Sequence, residues 1–394
     1  MKPLLCLFIS LLATFPITGY SVNSESYERD LLGALERLLA HDQGNAAAQL
    51  ETLTQSYPNS RSGYLLYADL LAARGGLTPA ISQAMGHLER DVVSELREQL
   101  SIRWHYWHTI RAARQDLWPA ALLQLSGQQK IALYMDIPAA RLIVYENDGG
   151  QLKEVDNFYA SIGVAGFKKR REGDQKTPVG VYRITGFIPG RKLHERYGSG
   201  ALPIDYPNEL DQIYERTGDG IWLHGTEPGF INRAPRASDG CLSLANGDFL
   251  ALHRIIGDTP SVPVVIDSAP EWIAPPELLR RREQLSRTIT RWFKARLESD
   301  IPLLDRLYSG LPYSDELAHH SSRAQPSSGF TGLAGNLRLE DTQLLTYPGE
   351  ERLYVADLWL THGPQTKLGI RQYWHRTTDN EWKIVKEFSI RPNG

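Results

Sequence analysis

The hydrophobic pattern begins with an apolar run from Leu4 to Phe15, behind a single lysine at position 2. One positive charge followed by about a dozen apolar residues is typical of a secretory signal peptide, and the run is short for a membrane-spanning helix. We therefore expect a signal peptide over residues 1–20, with an uncleaved N-terminal anchor as the alternative. Cys6 lies inside the run rather than after it, which argues against a lipoprotein.

Apolar residues at helical spacing follow over residues 25–125. Gly75 and Gly76 close one of the apolar faces. This spacing predicts a helical region that resembles a small array of helical hairpins. We assign it no chemistry and expect packing or dimerisation. The leucines that carry the first turns of the pattern are at positions 31, 32, 35, 38 and 39.

Short strand-like runs replace the helical pattern near Gln129. Glycine and proline separate the runs, which is typical of a mainly β domain, a barrel or a sandwich, over residues 129–268. Residues 246–256 form the predicted helix inside it. The runs begin at Ile131, Arg141, Phe158, Gly180, Gly220 and Ser261.

A proline-rich stretch predicts a stiff linker over residues 269–283, and an amphipathic helix is expected from about Glu277 to Glu298. Three strand-like runs follow, with residues 377–380 as the turn between the last two. A helix followed by antiparallel strands predicts an α+β module over residues 284–394.

Composition narrows the class of protein. Of 394 residues, 42% are hydrophobic and 23% are charged, with a formal net charge of −3, which excludes a generally basic nucleic-acid binder. Outside the N-terminus no run of 18 apolar residues occurs, so we expect no stable membrane span. The chain has 2 cysteines, which is too few for a disulfide framework.

Removal of the signal peptide would leave Cys241 as a lone thiol, preceded by Gly240. His224 ends an apolar strand-like run upstream of it. An imidazole can take the proton of a cysteine nucleophile, and a glycine allows a sharp turn whose N–H groups can form an oxyanion hole. A buried, inert cysteine beside an unrelated histidine is the competing interpretation.

The surrounding residues favour catalysis. The runs Ile221–Thr226 and Ala237–Leu244, together with Lys176–Tyr182 upstream, resemble the YkuD-type L,D-transpeptidase family over about residues 130–267. Asp239 stands where the commonest family version has histidine, and Ser243 where many members have asparagine or arginine.

The resemblance implies roles for the motif residues. Cys241 would be the nucleophile, His224 the proton acceptor and donor, Gly225 the backbone carbonyl that orients the histidine, and Gly240 part of the oxyanion hole. Ser238, Asp239 and Ser243 would line the peptide groove. The implied reaction is acyl transfer at the diaminopimelate–D-Ala bond of a peptidoglycan stem, in the periplasm, with no metal and no cofactor.

The stretch from Lys168 to Arg196 is rich in basic residues, among them Lys176 and Arg183, which we expect to bind the carboxylates of a stem peptide; a solvated hairpin is the alternative. His319 and His320 lack further spaced ligands, so we expect no metal site there.

Dispersed aromatic residues of the C-terminal module resemble the NTF2-like domain of certain cell-shape L,D-carboxypeptidases. The fold class expected for the whole chain is therefore multidomain, with an all-α N-terminal region, a mainly β YkuD-like domain and an α+β NTF2-like domain. A cell-wall protein partner would bind the first or last of these. Transpeptidase, carboxypeptidase, an amidase that releases an envelope protein, and a non-catalytic peptidoglycan-binding scaffold all remain open. The aromatic runs are Trp292–Phe293, Gln372–Trp374 and Trp382–Ile384.

Overall fold

The structure is a computed structural model in which residues 24–76, 90–308, 337–363 and 366–390 are described. The predicted signal peptide and the histidine pair at 319–320 lie outside the described residues. N-terminal helices precede a central mainly β part, and a sheet packed against a long helix ends the chain, so the expected multidomain fold class is confirmed.

Four long helices build the described part of the N-terminal region. The second and third begin at polar caps, since Asp42 accepts the N–H of Asn45 at 3.3 Å and Ser60 accepts the N–H of Gly63 at 3.0 Å. The fourth continues through a π-helical turn, Tyr106–Ile110. The helices are α1 (Ser24–Leu39), α2 (Gln43–Ser56), α3 (Arg61–Arg74) and α4 (Arg90–His105).

Helix does not extend to residue 125 as the spacing predicted. Regular helix ends at Ala113, and residues 118–119 and 122–124 are short strands. Pro119 cannot donate a helical hydrogen bond. The apolar side chains of residues 120–123 are buried where the central sheet and the C-terminal sheet, both described below, pack together. Tertiary burial therefore decides the conformation of this stretch.

Two short strands precede the central sheet, β1 (Trp118–Pro119) and β2 (Leu122–Gln124). The central sheet itself has ten strands: β3 (Ile131–Asp136), β4 (Arg141–Asp148), β5 (Gln151–Gly163), β6 (Gly180–Arg183), β7 (Ile188–Pro189), β8 (Gly200–Pro203), β9 (Trp222–His224), β10 (Arg236–Ser238), β11 (Leu242–Leu244) and β12 (Pro263–Asp267). Their order is β6-β12-β3-β4-β5-β11-β9-β8-β7, with β10 paired to β5. Most pairs are antiparallel, whereas β11–β9, β12–β3 and β10–β5 are parallel.

One face of this sheet encloses a buried aliphatic core that includes Leu133, Leu223 and Leu242. Two helices accompany the sheet, α5 (Glu209–Ile213) and α6 (Asn246–Ile256), and α6 has the predicted bounds. Phe249 of α6 is fully buried in the same core. The strands that end near α6 are therefore held on a rigid support.

The C-terminal sheet has the order β17-β16-β15-β14-β2, and α7 and α8 pack on it. Its last three strands confirm the predicted antiparallel runs. Strand β14 was not predicted, although its first residues alternate between apolar and charged, as a half-buried strand does. Its elements are β13 (Trp272–Ile273), α7 (Pro275–Glu298), α8 (Ile301–Tyr308), β14 (Leu337–Thr346), β15 (Leu353–His362), β16 (Thr366–Arg376) and β17 (Trp382–Ile390).

The stretch predicted as a stiff linker, residues 269–283, instead contains a short strand and the first turns of a helix. Strand β13 pairs with β1, and α7 begins at Pro275, where a proline is tolerated because the first helical N–H groups have no partner in the helix. The segment between the two sheets is thus short and anchored.

The two large sheets share a buried interface. Asp357 of the C-terminal sheet pairs with Arg371 at 2.7 Å and with Arg183 of the central sheet. Asn208 donates to the hydroxyl of Tyr347 at 2.9 Å across the same boundary. These contacts bind the two parts into one packed body.

The N-terminal helices are joined to the central sheet by a buried charge cluster. Glu28 of α1 accepts from Arg103 of α4 at 3.0 Å and from Arg141 of β4 at 2.8 Å. Burial raises the pKa of the Glu28 carboxyl, but the two guanidinium groups outweigh it and lower the pKa to about 2.

Within the described residues, every helix is too short or too polar to cross a bilayer.

Candidate active site

Neighbouring parallel strands bring the predicted nucleophile and base together. Strand β11 pairs with β9, with Leu242 beside Leu223 and Ser243 beside His224. Because side chains alternate along a strand and both leucines are in the core, His224 and Cys241 face the other way. Both line one cleft of about 460 Å³. The two residues are 17 positions apart in sequence, and sheet pairing makes them neighbours.

The thiol of Cys241 is buried, with 8% of the residue exposed, and it donates to the carbonyl of Gly220 at 3.4 Å. Burial raises the pKa of this thiol to about 11, and a hydrogen bond from the backbone of Trp222 offsets only part of that effect. The resting group is therefore a protonated thiol rather than a thiolate.

His224 is also buried and uncharged. Burial lowers the pKa of its imidazole to about 4. Nδ1 lies 2.5 Å from the carbonyl oxygen of Gly225, which can accept a hydrogen bond only from a protonated Nδ1. In the neutral imidazole this assigns the proton to Nδ1 and leaves Nε2 free to accept. The ring of Tyr197 meets the imidazole edge-to-face at 5.0 Å between centroids. The imidazole is thus oriented as a base.

Ser238 organises the turn that carries the thiol. Its Oγ donates to the carbonyl of Cys241 at 2.7 Å and accepts the N–H of Gly240 at 3.1 Å. The Gly240 N–H, expected to form part of an oxyanion hole, is therefore used within the turn. The side chain of Ser238 is at the cleft wall, as predicted, and fixes the backbone on both sides of Asp239.

Gly240 is required for the close approach of another backbone segment. Its φ is +123°, and a Cβ at this position would lie 2.7 Å from the carbonyl oxygen of Lys176. Thr177 donates to the carbonyl of Gly240 at 2.9 Å and accepts the N–H of Gly163 at 2.9 Å. The upstream motif Lys176–Tyr182 therefore supports the turn at Gly240 through the backbone of Lys176 and the hydroxyl of Thr177. The sequence analysis did not assign this role.

Gly225 has the predicted backbone role and an additional partner. Its carbonyl accepts from Nδ1 of His224 and, at 3.3 Å, from the hydroxyl of Ser243. Ser243 is buried and does not line the cleft, contrary to its predicted place in the peptide groove. It stands behind the histidine because β11 pairs with β9.

Asn246, at the start of α6, was not predicted. Its Oδ1 accepts the N–H of Ser199 at 2.8 Å, and its Nδ2 donates to the carbonyl of Thr226 at 2.7 Å. It thereby ties the loop carrying Tyr197 to the loop that follows His224. No local sequence signal marks this residue, because both loops are distant in the chain.

Charged side chains surround the mouth of the cleft. Asp239 is exposed, lies 3.7 Å from the guanidinium of Arg196 and accepts from Gln175 at 3.2 Å. Arg233 donates to Glu227 at 2.7 Å. Asp239 lines the cleft, where the resemblance expects a groove residue, whereas the positions of Arg196, Arg233 and Glu227 at the cleft were not anticipated.

The other predicted substrate-binding residues lie elsewhere. Arg183 is largely buried, with 11% of its side chain exposed, and pairs with Asp357 at the boundary between the two sheets, because burying Asp357 requires a counter-charge there. The side chain of Lys176 does not line the cleft. Lys169 of the basic stretch is buried and paired with Asp174 at 2.9 Å. The stretch is therefore not a continuous basic surface.

Within the described residues no three histidine, cysteine or carboxylate side chains cluster in a way that could hold a metal ion. The cleft brings together a thiol, an imidazole and several charged side chains, among them Asp239 and Arg233.

Comparison with known proteins supports the resemblance to L,D-transpeptidases that the motifs around Cys241 and His224 indicate. Residues 130–266 match the family model described as YkuD, the L,D-transpeptidase catalytic domain. A search of curated proteins gave no significant match.

Two solved structures share the fold. Bd1075 of Bdellovibrio bacteriovorus is 21% identical, with a TM-score of 0.56 over 70% of this chain and 100% of its own. The helical cell shape determining protein Pgp2 of Campylobacter jejuni is 20% identical, with a TM-score of 0.55 over 68% of this chain and 94% of its own. The resemblance drawn from the motifs is confirmed: residues 130–266 form a YkuD-type L,D-transpeptidase domain.

Proposed function

We propose that this protein is a periplasmic cysteine acyltransferase that acts on the diaminopimelate–D-Ala bond of peptidoglycan tetrapeptide stems. The observation that carries the proposal is the shared cleft in which Cys241 and His224 meet on neighbouring strands of a YkuD-type domain. The cell-shape role named for Pgp2 is extended here by similarity of fold.

The reaction begins with two neutral groups. Nε2 of His224 takes the proton of the Cys241 thiol as the sulfur attacks the scissile carbonyl carbon, forming a tetrahedral oxyanion. The backbone N–H of Cys241 is our candidate donor to that oxyanion, since the N–H of Gly240 is used by Ser238. The adduct collapses with cleavage of the C–N bond, and the imidazolium protonates the leaving amine of D-Ala.

The thioester then needs an acceptor. Water, deprotonated by His224, would release a tripeptide carboxylate and restore the thiol, which is carboxypeptidase chemistry. The amine of a second stem would instead form a cross-link, which is transpeptidase chemistry. Both branches share the acyl-enzyme and differ only in the acceptor, so the reaction products distinguish them.

The other parts of the chain have supporting roles in this proposal. A signal peptide over residues 1–20 would deliver the protein to the periplasm. The C-terminal module, proposed to be NTF2-like, would engage the polymer or a cell-wall protein. Trp292 and Trp374 are buried in its core, so neither is available to a ligand.

Incubation with a disaccharide tetrapeptide, with product masses measured, tests the proposal. Release of tripeptide and D-Ala supports the carboxypeptidase, and a dimer one D-Ala lighter than two substrates supports the transpeptidase. In a parallel incubation with a stem peptide that carries a linked envelope protein, release of that protein would indicate the amidase. Binding without any reaction would indicate the scaffold and overturn the enzymatic proposal, as would undiminished turnover by Cys241→Ala.

A further inference from the structure

The N-terminal helices form one wall of the active-site cleft. Arg61 of α3 and three residues of α4, Val92, Glu95 and Leu96, line it together with Cys241. The three residues of α4 are three and four positions apart, so they share one face of that helix. The helical region therefore touches the space in which the substrate must lie.

Hydrogen bonds and packing hold this wall in a fixed position relative to the catalytic residues. Gln99 of α4 donates to the carbonyl of Arg233 at 2.7 Å and accepts from the buried hydroxyl of Ser62 at 2.6 Å. Ile231, from the same loop as Arg233, is buried in the core of the helices beside Leu53 and Leu100. The loop that follows His224 is thus packed on the helices, and the wall cannot move independently of it.

Arg61 is placed against local electrostatic preference. It occupies the first position of α3, where the helix dipole disfavours a cation, and no acidic residue shares that turn. Its guanidinium lies 3.9 Å above the ring of Phe230, which also lines the cleft. Among the described residues, no carboxylate lies within 4.0 Å of this guanidinium.

Glu95 is the corresponding anion on the neighbouring helix. It is exposed, and no cation of the described part of the chain pairs with its carboxylate. The other two guanidinium groups of the cleft each have an acidic neighbour. Arg233 pairs with Glu227, and Arg196 lies near Asp239. The helical wall therefore presents one cation and one anion without a charged partner among the described residues, and two apolar side chains, Val92 and Leu96, on the same face of α4 as the anion.

We propose that this wall selects the stem by binding the side chain of diaminopimelate, with Arg61 on its carboxylate, Glu95 on its ammonium group, and Val92 and Leu96 on its methylene chain. Diaminopimelate carries both charges on one carbon at the end of an aliphatic chain, so its side chain has the three kinds of group that the wall can bind. This inference rests on the proposed function and names a specificity determinant for it.

The test compares three soluble tetrapeptides: one with diaminopimelate, one with lysine at that position, which lacks the carboxylate, and one with diaminopimelate acetylated on its distal amine. We expect Arg61→Gln to raise KM roughly three- to tenfold for both diaminopimelate stems, the usual scale for partly exposed charge pairs, and to leave the lysine stem unchanged. Glu95→Gln should raise KM for the diaminopimelate and lysine stems, with no effect on the acetylated one. Values of kcat should stay within about twofold, since neither residue reaches the reacting bond.

Arg74→Gln and Glu98→Gln are the matched controls, because they remove the same charges from exposed positions of the same helices. Labelling of Cys241 by iodoacetamide and the melting temperature should be unchanged in all four variants, which separates recognition from folding. If Arg61→Gln and Glu95→Gln shift all three stems equally, or none, the inference is overturned.

Failure of the proposed function gives a different pattern. Binding of the three stems to the Cys241→Ala protein is measured alongside turnover. Binding that follows the same variant-by-stem pattern, without wild-type turnover, would leave the wall assignment standing and refute the reaction. No binding of any stem to Cys241→Ala would overturn both.

Discussion

At the scale of single residues, the site keeps a lone thiol unreactive until a base acts on it. Cys241 is buried with a pKa of about 11, and His224 is buried with a pKa of about 4, so both are neutral near pH 7. A neutral thiol resists oxidation, which would suit the periplasmic location proposed above.

This state predicts the pH dependence of alkylation. In the wild-type protein, the second-order rate of labelling by iodoacetamide should stay low through pH 8 and rise tenfold per pH unit toward the thiol pKa of about 11. The rate follows the thiolate fraction, which increases as the pH approaches the pKa from below. Mass spectrometry of Cys241 at intervals checks it; a plateau reached below pH 7 would show a preformed thiolate instead.

His224→Gln is expected to slow acylation by about two to four orders of magnitude, the usual contribution of positioned acid–base catalysis. The glutamine amide can still meet the carbonyl of Gly225, so the fold should be kept. Single-turnover acylation measures the loss, and substrate binding is the control. A variant that acylates at the wild-type rate would make His224 a structural residue.

At the scale of elements, the catalytic turn depends on a segment distant in sequence. Thr177 joins the carbonyl of Gly240 to the N–H of Gly163 through one fully buried hydroxyl. The loop at 176–177 and strand β5 thereby fix the turn that aims Cys241. Side chains of this type set geometry without touching substrate.

Thr177→Val should lower the stability of the protein by about 1–3 kcal/mol, because an isosteric methyl leaves a buried carbonyl and N–H unpaired. We also expect kcat to fall, since the turn is no longer fixed. Denaturant unfolding and turnover measure the two effects. Thr185→Val removes an exposed hydroxyl bonded to the carbonyl of Pro203 at 3.2 Å and should change neither. Equal effects of the two substitutions would contradict the assignment.

At the scale of the whole molecule, charge clusters buried between its parts make the chain one body. Asp357 pairs with Arg183 and Arg371 between the two large sheets, and Glu28 pairs with Arg103 and Arg141 between the helices and the central sheet. The catalytic domain is therefore supported from both sides.

Asp357→Asn should destabilise the protein by about 3–5 kcal/mol, because two buried guanidinium groups lose their shared counter-charge. The free energy of unfolding in urea measures this. Glu283→Gln breaks an exposed pair with Arg287 and should cost less than about 1 kcal/mol. A loss of similar size in both variants would mean that the buried cluster adds nothing to stability.

The sequence alone determined the parts that depend on local pattern. Alternating and helical spacing predicted the strand runs and the helix at 246–256, and the residues around Cys241 and His224 identified the catalytic domain. It also indicated a sharp turn at Gly240, which has a φ of +123°, whereas the oxyanion role predicted for the Gly240 N–H conflicts with its hydrogen bond to Ser238. The proximity of the Gly225 carbonyl to its histidine follows from their being adjacent in the chain.

Tertiary structure decided everything that depends on contacts between distant segments. Arg183 and Ser243 have the residue types of a binding groove, yet pairing of the sheets buries one at an interface and places the other behind the histidine. Arg61, Thr177 and Asn246 gained their places only when helices and loops far apart in the chain packed around the cleft. Residue type and spacing report local conformation and chemistry, whereas the neighbours of a side chain are set by the packing of elements that no local pattern records.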